Sequence, residues 1–335
     1  VHAHLPGDEG PHHGDPRDPR PRHPAALHPP RPVRRLARRA GPEGWGGGAI
    51  GLDIDDEDIE LIVTTDVGPR VIHCGFTGGE NLFYEDPLQS GTTGGDEWKI
   101  YGGHRCWCAP EDETYTYAVD NLPVEVRESG SAISFIAPPE KFGVQKTITI
   151  QPSLKKGRVA VNHTVVNTSL RSLLIAPWAL SVMRQRGTVI LPHDLGYPFQ
   201  LTPTHSFSLW SYTRIADRRW HWGDRYVFLK QDPTADSSQK IGCQNPYGWA
   251  AYSTRNELFV KYFPFDGKSA YPDFNVNFEA WTNKDMLEIE TLGPLCTLQP
   301  GEATSHQEEW SLFHDIPEPA NEADVDKLIL PLTTR

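Results

Sequence analysis

The eight residues VQKTITIQ, 144–151, alternate apolar and polar side chains except at Lys146. That is the period of a strand with one face buried and the other in water. A second run, RVAVNHTVVN at 158–167, follows closely and is rich in valine, whose branched side chain suits a pleated surface. Outward from this pair the chain keeps the same texture. Strands are expected before it at Ile50–Ile54, Ile59–Thr64, Arg70–Cys74, Asn81–Tyr84, Val124–Arg127 and Ala132–Ala137. After it come Leu173–Met183, Thr188–Leu191, Phe207–Tyr212, Tyr226–Lys230, Trp249–Ser253 and Leu258–Phe263. Asp273–Trp281, Met286–Thr291 and Ser305–Phe313 close the series, and only Ala323–Leu330 reads as helix. Short strands separated by Gly, Pro, Asn and Asp predict an all-β antiparallel sandwich or barrel. Helical crossovers are missing, which argues against a parallel α/β sheet, and no fixed-period repeat points to a propeller.

Residues 1–44 have a different composition. They hold 8 Arg and no Lys, 5 Asp or Glu, and 10 of the 30 prolines. So little apolar surface cannot offset the entropy of ordering, and a disordered Pro/Arg/His-rich tail is expected; arginine without lysine there suggests an upstream sequence translated from a mis-called start. Residues 45–335 read as a single domain. With the tail set aside, the formal charge of −12 becomes a balance of 24 basic against 39 acidic residues. A surface of that sign disfavours nucleic acid or an anionic membrane as partner. No run approaches a membrane span, no signal-peptide core opens the chain, and no oligomeric state is implied. The five cysteines have no framework spacing, which fits reduced thiols in the cytoplasm; secretion or a periplasmic location would need a different N-terminus.

The 10 Trp and 11 Tyr are the informative excess, because rings that also carry a donor suit amphipathic ligands. They concentrate around YGGHRCWCAPEDETYTYAVDN, 101–121, which reads as a loop forming one wall of a polar, aromatic pocket suited to a sugar. Gly102-Gly103 permits a sharp turn. His104 and Arg105 would project a titratable ring and a rigid five-donor fork, or else pin the loop through Glu111. Trp107 would stack on a sugar face, with Tyr115 and Asn121 further along the same loop. His104, Cys106 and Cys108 lack a second ligand pair at zinc spacing, so neither metal nor cofactor is expected.

Two further stretches carry candidates. In 158–167, His163 falls on the valine face and reads either as a core histidine bonded to a neighbour or as a functional residue. In YPDFNVNFEAWTN, 271–283, Asp273, Asn275, Asn277 and Glu279 lie at spacing two, and Trp281 continues the same face. A carboxylate against aromatic walls has a raised pKa and can act as a base. Glu279 is therefore the expected base, with Glu290 on the next strand as the alternative. One of Glu308 and Glu309 must face inward, where an arginine such as Arg105 or Arg184 could pair with it. Signatures of nucleophilic serine, phosphate-binding, dinucleotide and zincin chemistry are all missing.

These motifs together resemble the galactose mutarotase-like superfamily, the large β-supersandwich of aldose 1-epimerases. Asp66-Val-Gly-Pro-Arg70 followed by Asn81-Leu82-Phe83 resembles its early strands, and Gly102-Gly103-His104 its glycine–histidine loop. Asn162-His163 with Asn167 resembles the strand whose histidine is the acid, and Leu298 to Glu302 the turn before the last strand. G-G-H-R-x-W, E-x-x-T-N and the final E-x-W resemble more closely a branch known only as a domain of unknown function. The resemblance departs at Val165, where an aromatic is usual, and at Trp178, which stands about where a second histidine is common.

It implies a β-supersandwich with a carbohydrate cleft. Glu279 or Glu290 would be the base, His104 or His163 the acid, and Arg105, Trp107, Glu111, Tyr115, Asn121, Trp178, Asn277, Trp281 and Glu309 would bind the sugar. The leading expectation is aldose-epimerase-like acid/base catalysis. The alternatives are a polysaccharide lyase or glycoside hydrolase acting on a plant or microbial glycan, and a non-catalytic carbohydrate-binding protein.

Overall fold

The computed structural model describes residues 34–35, 48–54, 59–155, 157–196 and 201–333. Of the expected tail only Arg34 and Arg35 fall within them, as a short edge strand, β1; the rest lies outside the described residues. The following strands are β2 (Ala49–Ile54), β3 (Ile59–Thr64), β4 (Val71–Phe76), β5 (His104–Ala109), β6 (Glu125–Ser129) and β7 (Ala132–Ile136). Next come β8 (Val144–Pro152), β9 (Val159–Asn167), β10 (Leu173–Met183), β11 (Thr188–Pro192), β12 (Phe207–Leu209), β13 (Trp220–Trp222) and β14 (Tyr226–Lys230). The last are β15 (Gln239–Cys243), β16 (Trp249–Thr254), β17 (Glu257–Tyr262), β18 (Phe278–Thr282), β19 (Leu287–Leu292), β20 (Cys296–Leu298) and β21 (Ala303–His314).

They pair antiparallel into two sheets. The first runs β1-β2-β3-β4-β5-β10-β19-β18-β15-β12, with β20 beside β10; the second runs β13-β14-β11-β16-β17-β21-β9-β8-β7-β6. The expected all-β supersandwich is the observed architecture. Alternation explains why the sheets stack. On β8 and β9, Ile148, Ile150, Val159 and Val161 point inward, and they meet Leu61, Ile241 and Ile289 of the first sheet across a common core. Trp310 anchors this core, with the Phe83 and Phe259 rings 5.7 and 5.8 Å away. Truncating a core side chain of this kind costs about 2–5 kcal/mol. The outer face of the second sheet is covered by the helical segment 322–332, whose Val325 and Ile329 pack on Tyr226, Trp249 and Val260.

Three local expectations change. The stretch 101–121 is not one loop, because its His104–Ala109 portion is a fully buried central strand between β4 and β10. Gly102 and Gly103 make that placement possible. They sit at φ 106° and 68°, and a Cβ on them would lie 2.1 Å from Tyr84 O and 2.3 Å from Val71 O. Asp273–Trp281 becomes a strand only at Phe278; Asp273, Phe274 and Asn275 instead turn through left-handed backbone at φ 49°, 64° and 74°. Asn81–Tyr84 contributes an isolated bridge from Phe83 to Met183 and no strand. Among the described residues no helix is long and apolar enough to cross a membrane.

Candidate functional site

Five neighbouring strands of the first sheet, β5, β10, β19, β18 and β15, put one row of side chains on its outer face. The register aligns Arg105 with Leu180, Leu180 with Glu290, and Glu290 with Glu279. The adjacent row aligns Val182 with Glu288, Glu288 with Trp281, and Trp281 with Lys240. These rows floor a cleft of about 770 Å³. Its walls are Trp98, Trp107, Tyr117, Trp178, Trp210 and Tyr212. Rings on one side brace each other edge to face, with Trp107 at 5.3 Å from Trp178 and 5.1 Å from Tyr117.

Two cations organise the floor. Lys240 Nζ lies 2.8 Å from Glu279 Oε2 and 3.1 Å from Glu290 Oε2, and 4.8 and 4.7 Å from the Trp178 and Trp210 ring centres. Trp178 Nε1 donates to the same Glu290 oxygen at 3.0 Å. Arg105 Nη2 donates to Glu288 Oε1 at 3.2 Å while its guanidinium lies over the Trp107 ring at 4.3 Å. Polar atoms are left over: Glu290 Oε1 and the Nε and Nη1 of Arg105 are buried without a protein hydrogen-bond partner. An unmatched acceptor beside unmatched donors is a demand for a ligand or water that carries both.

The electrostatics separate the acids. Burial pushes the Glu279 carboxyl well above the usual carboxylate range; Lys240 opposes the shift and Glu290 adds to it. Burial also raises Glu288, against the pull of Arg105. For Lys240, burial works against the ammonium, but Glu290 and Glu279 more than offset it and hold its pKa well above the lysine range. At the mouth, burial lifts Tyr212 to about 12, and Tyr117 hydrogen-bonds Glu111.

Of the residues expected to act here, Arg105, Trp107, Glu111, Trp178, Trp281 and Glu290 line the cleft. Glu279 lies fully buried on the floor, behind Lys240. The others lie elsewhere. Asn277 is a structural tie, its Oδ1 accepting from Asn245 N at 2.7 Å, and Asn121 donates to Glu97 O at 2.8 Å. Tyr115 stacks on Phe142 at 4.7 Å and donates to Pro110 O. Glu309 lies on the outer face of the second sheet with Ser153 and Arg158. The arginine partners expected for the final strand are also different: Arg105 pairs with Glu288, Arg184 with Glu80 and Glu257, and the inward Glu308 with Lys261.

The two histidines depart furthest from expectation. Alternation along β5 sends Arg105 and Trp107 to the cleft and His104 to the opposite face, between the sheets, where it meets His163. There His163 Nδ1 lies 3.0 Å from the His306 carbonyl and so must donate to it, which leaves Nε2 as acceptor for His104 Nε2–H at 2.6 Å. His104 Nδ1 then accepts from Ser181 Oγ at 2.8 Å. Glu308 completes the group, taking Lys261 Nζ at 3.0 Å and Trp310 Nε1 at 2.8 Å, with Thr291 on the same carboxylate. Burial lowers His104 well below, and His163 and His306 below, the ordinary imidazole range, the last to about 3. All three rings are therefore neutral near pH 7. His104, His163 and Glu308 do gather three metal-ligand atoms within 4.8 Å. Each of those residues already has hydrogen-bond or ionic partners in the protein, so the cluster is satisfied without an ion.

Sequence reading passed over Lys240, Trp98 and Tyr117. Lys240 lies on a five-residue strand, QKIGC, too short and too polar to register as periodic. Tyr117 and Trp98 sit on irregular chain, where side-chain direction has no period to follow.

No protein-family model matches the chain, and no curated protein matches it. Among solved structures it is similar to a protein from Synechocystis sp. PCC 6803, with 13% identity over 80% of this chain and 96% of the other, and a TM-score of 0.54. It is similar to a candidate aldose 1-epimerase from Klebsiella pneumoniae, with 13% identity, 83% and 81% coverage and a TM-score of 0.53. It is also similar to a galactose mutarotase-like protein from Lactobacillus casei, with 11% identity, 79% and 100% coverage and a TM-score of 0.51. At these identities the likeness shows the fold: the chain has the galactose mutarotase-like β-supersandwich.

Proposed function

We propose that the cleft binds a carbohydrate and performs acid/base chemistry at its hemiacetal, in the manner of an aldose epimerase. The observation that carries this reading is the pair Glu288 and Glu290, on one strand, facing one aromatic cleft and held by different cations. The shared fold with a candidate aldose 1-epimerase agrees with it; fold alone does not assign an activity.

Glu290 is the base. Its Oε1 has no protein hydrogen-bond partner, and Lys240 and Trp178 Nε1 hold its other oxygen. Glu288, whose pKa burial raises, is the acid. Glu290 takes the proton of the anomeric hydroxyl as the bond from the anomeric carbon to the ring oxygen breaks, and Glu288 delivers its proton to that ring oxygen. The open-chain aldehyde rotates, the two transfers reverse, and the ring closes on the opposite face with both carboxyls restored. Glu279 and Lys240 position Glu290, and Arg105 positions Glu288. The histidines, out of reach behind the sheet, take no part.

Hydrolysis of a glycosidic bond is the second reading, favoured by two carboxyl residues that face one cleft from Cα positions about 7 Å apart along the strand. Exchange NMR of the α and β anomers across a panel of aldoses tests the first reading, and reducing-sugar release from glycans tests the second. Anomer exchange no faster than in buffer for every aldose would overturn the epimerase assignment.

A further inference from the structure

The cleft holds more aromatic surface than one sugar can use. A pyranose ring has two faces, and each can cover one aromatic ring. Trp107 and Trp178 are buried at the back of the cleft. Trp98, Trp210 and Trp281 nevertheless remain half-exposed around it, and Tyr117 and Tyr212 are 37% and 41% exposed at its mouth. That is five partly open rings around one opening. Volume points the same way. The twelve or so heavy atoms of a hexose, at no more than about 30 Å³ each for a water-sized group, fill at most about 360 Å³. The cleft offers about 770 Å³.

A separate observation lies on the rim. Phe274 is 93% exposed on the turn where three successive non-glycine residues adopt positive φ. Left-handed backbone costs such residues about 1–2 kcal/mol each, and strain of this kind collects at functional sites. The turn is anchored beside the cleft wall. Ser208 Oγ donates to Asp273 O at 2.8 Å, two residues before Trp210. Trp210 and Val276 both pack over Gly242, which has no side chain to keep them apart. The strained turn thus presents an aromatic ring to water next to the segment that supplies Trp210.

We infer that the ligand is an oligosaccharide of two or more rings. Its terminal ring lies over Glu288 and Glu290, and the following rings run out past Trp210 and Tyr212 toward Phe274. This rests on the carbohydrate reading above and goes further, since a single aldose would leave most of the aromatic wall unused.

The test is calorimetric titration of the full chain with two length series: glucose, maltose and maltotriose, and glucose, cellobiose and cellotriose. Affinity is expected to rise about tenfold from one ring to three in at least one series. Tyr212→Ala and Phe274→Ala are exposed substitutions with little bearing on folding, and each should weaken the trisaccharide several-fold more than the monosaccharide. Equal affinity at every length, or equal losses for short and long ligands in both variants, overturns the oligosaccharide inference and leaves the carbohydrate reading standing. If no member of either series binds, the inference falls along with the carbohydrate reading.

Discussion

Glu288 and Glu290 project from one strand into one cleft, yet Arg105 reaches the first at 3.2 Å and Lys240 the second at 3.1 Å. Each carboxyl thus has its own cation. On the proposed reading the two carboxyls take different proton-transfer roles from alternate positions of one strand.

If Glu290 is the base, Glu290→Gln keeps the shape and loses the proton acceptor. Anomer exchange should drop about 10²–10⁴-fold, with ligand affinity changed far less. Magnetisation-transfer NMR reads both quantities on one sample. A loss below tenfold would remove Glu290 from the mechanism.

Glu288 predicts a pH profile. Its folded pKa is raised above 4.5, and the reaction needs its protonated form. The rate should therefore fall as pH rises through that folded pKa. Glu288→Gln should be slow throughout and should lack this alkaline limb. A limb that persists unchanged in the variant belongs to another group.

Lys240 contacts two buried carboxyls at once. Lys240→Met should destabilise the fold by about 3–5 kcal/mol, since it leaves buried charge uncompensated. Adding Glu279→Gln should recover part of that loss. Urea unfolding of the single and double variants gives both numbers, and an unchanged midpoint for Lys240→Met would show that the ion cluster does not hold the floor together.

His306 carries a linkage prediction. Its folded pKa is depressed to about 3, while an unfolded histidine titrates near 6.5. Its stabilising contribution is complete above pH 6.5 and is lost as pH falls below that, because only the unfolded chain takes up the proton. The stability advantage of the wild type over His306→Asn should shrink by about 2 kcal/mol between pH 7 and pH 5. Parallel unfolding curves at the two pH values measure it, and a pH-independent difference would mean His306 is not buried neutral.

His163→Gln separates core from catalysis. The imidazole meets His104 and the His306 carbonyl between the sheets, on the face opposite the cleft. The variant should melt at lower temperature and turn over within a few-fold of wild type. A hundredfold rate loss in a folded variant would bring the histidine pair back into the chemistry.

The sheets were legible where one strand face is wet. Along β8, Val144, Lys146, Ile148 and Ile150 are buried between half-exposed neighbours, and the alternation predicts both the element and its direction. Along β5 all six residues are buried, so nothing alternates, and the flanking glycines and Pro110 imitate a loop. That single misreading moved His104 to the wrong side of the sheet. Asp273 and Asn275 have strand-like spacing in sequence, but left-handed backbone cancels the period before it can set a face. Six of the expected cleft residues do line it, because bulky aromatic and charged side chains on an outer face have few other places to go. Lys240 escaped notice because its role depends on Glu279 and Glu290, some 39 and 50 positions further along.

His104 and Arg105 are consecutive, and one of them serves the core while the other serves the cleft. The single peptide unit between them therefore divides two chemistries, and their assignment depends on frame. A one-residue shift in the register of this strand would turn the imidazole to the cleft face and the guanidinium to the face between the sheets. A change in the length of this strand therefore disturbs both faces at once. Comparisons with distant relatives should accordingly find gaps almost anywhere on the first sheet before they find one here.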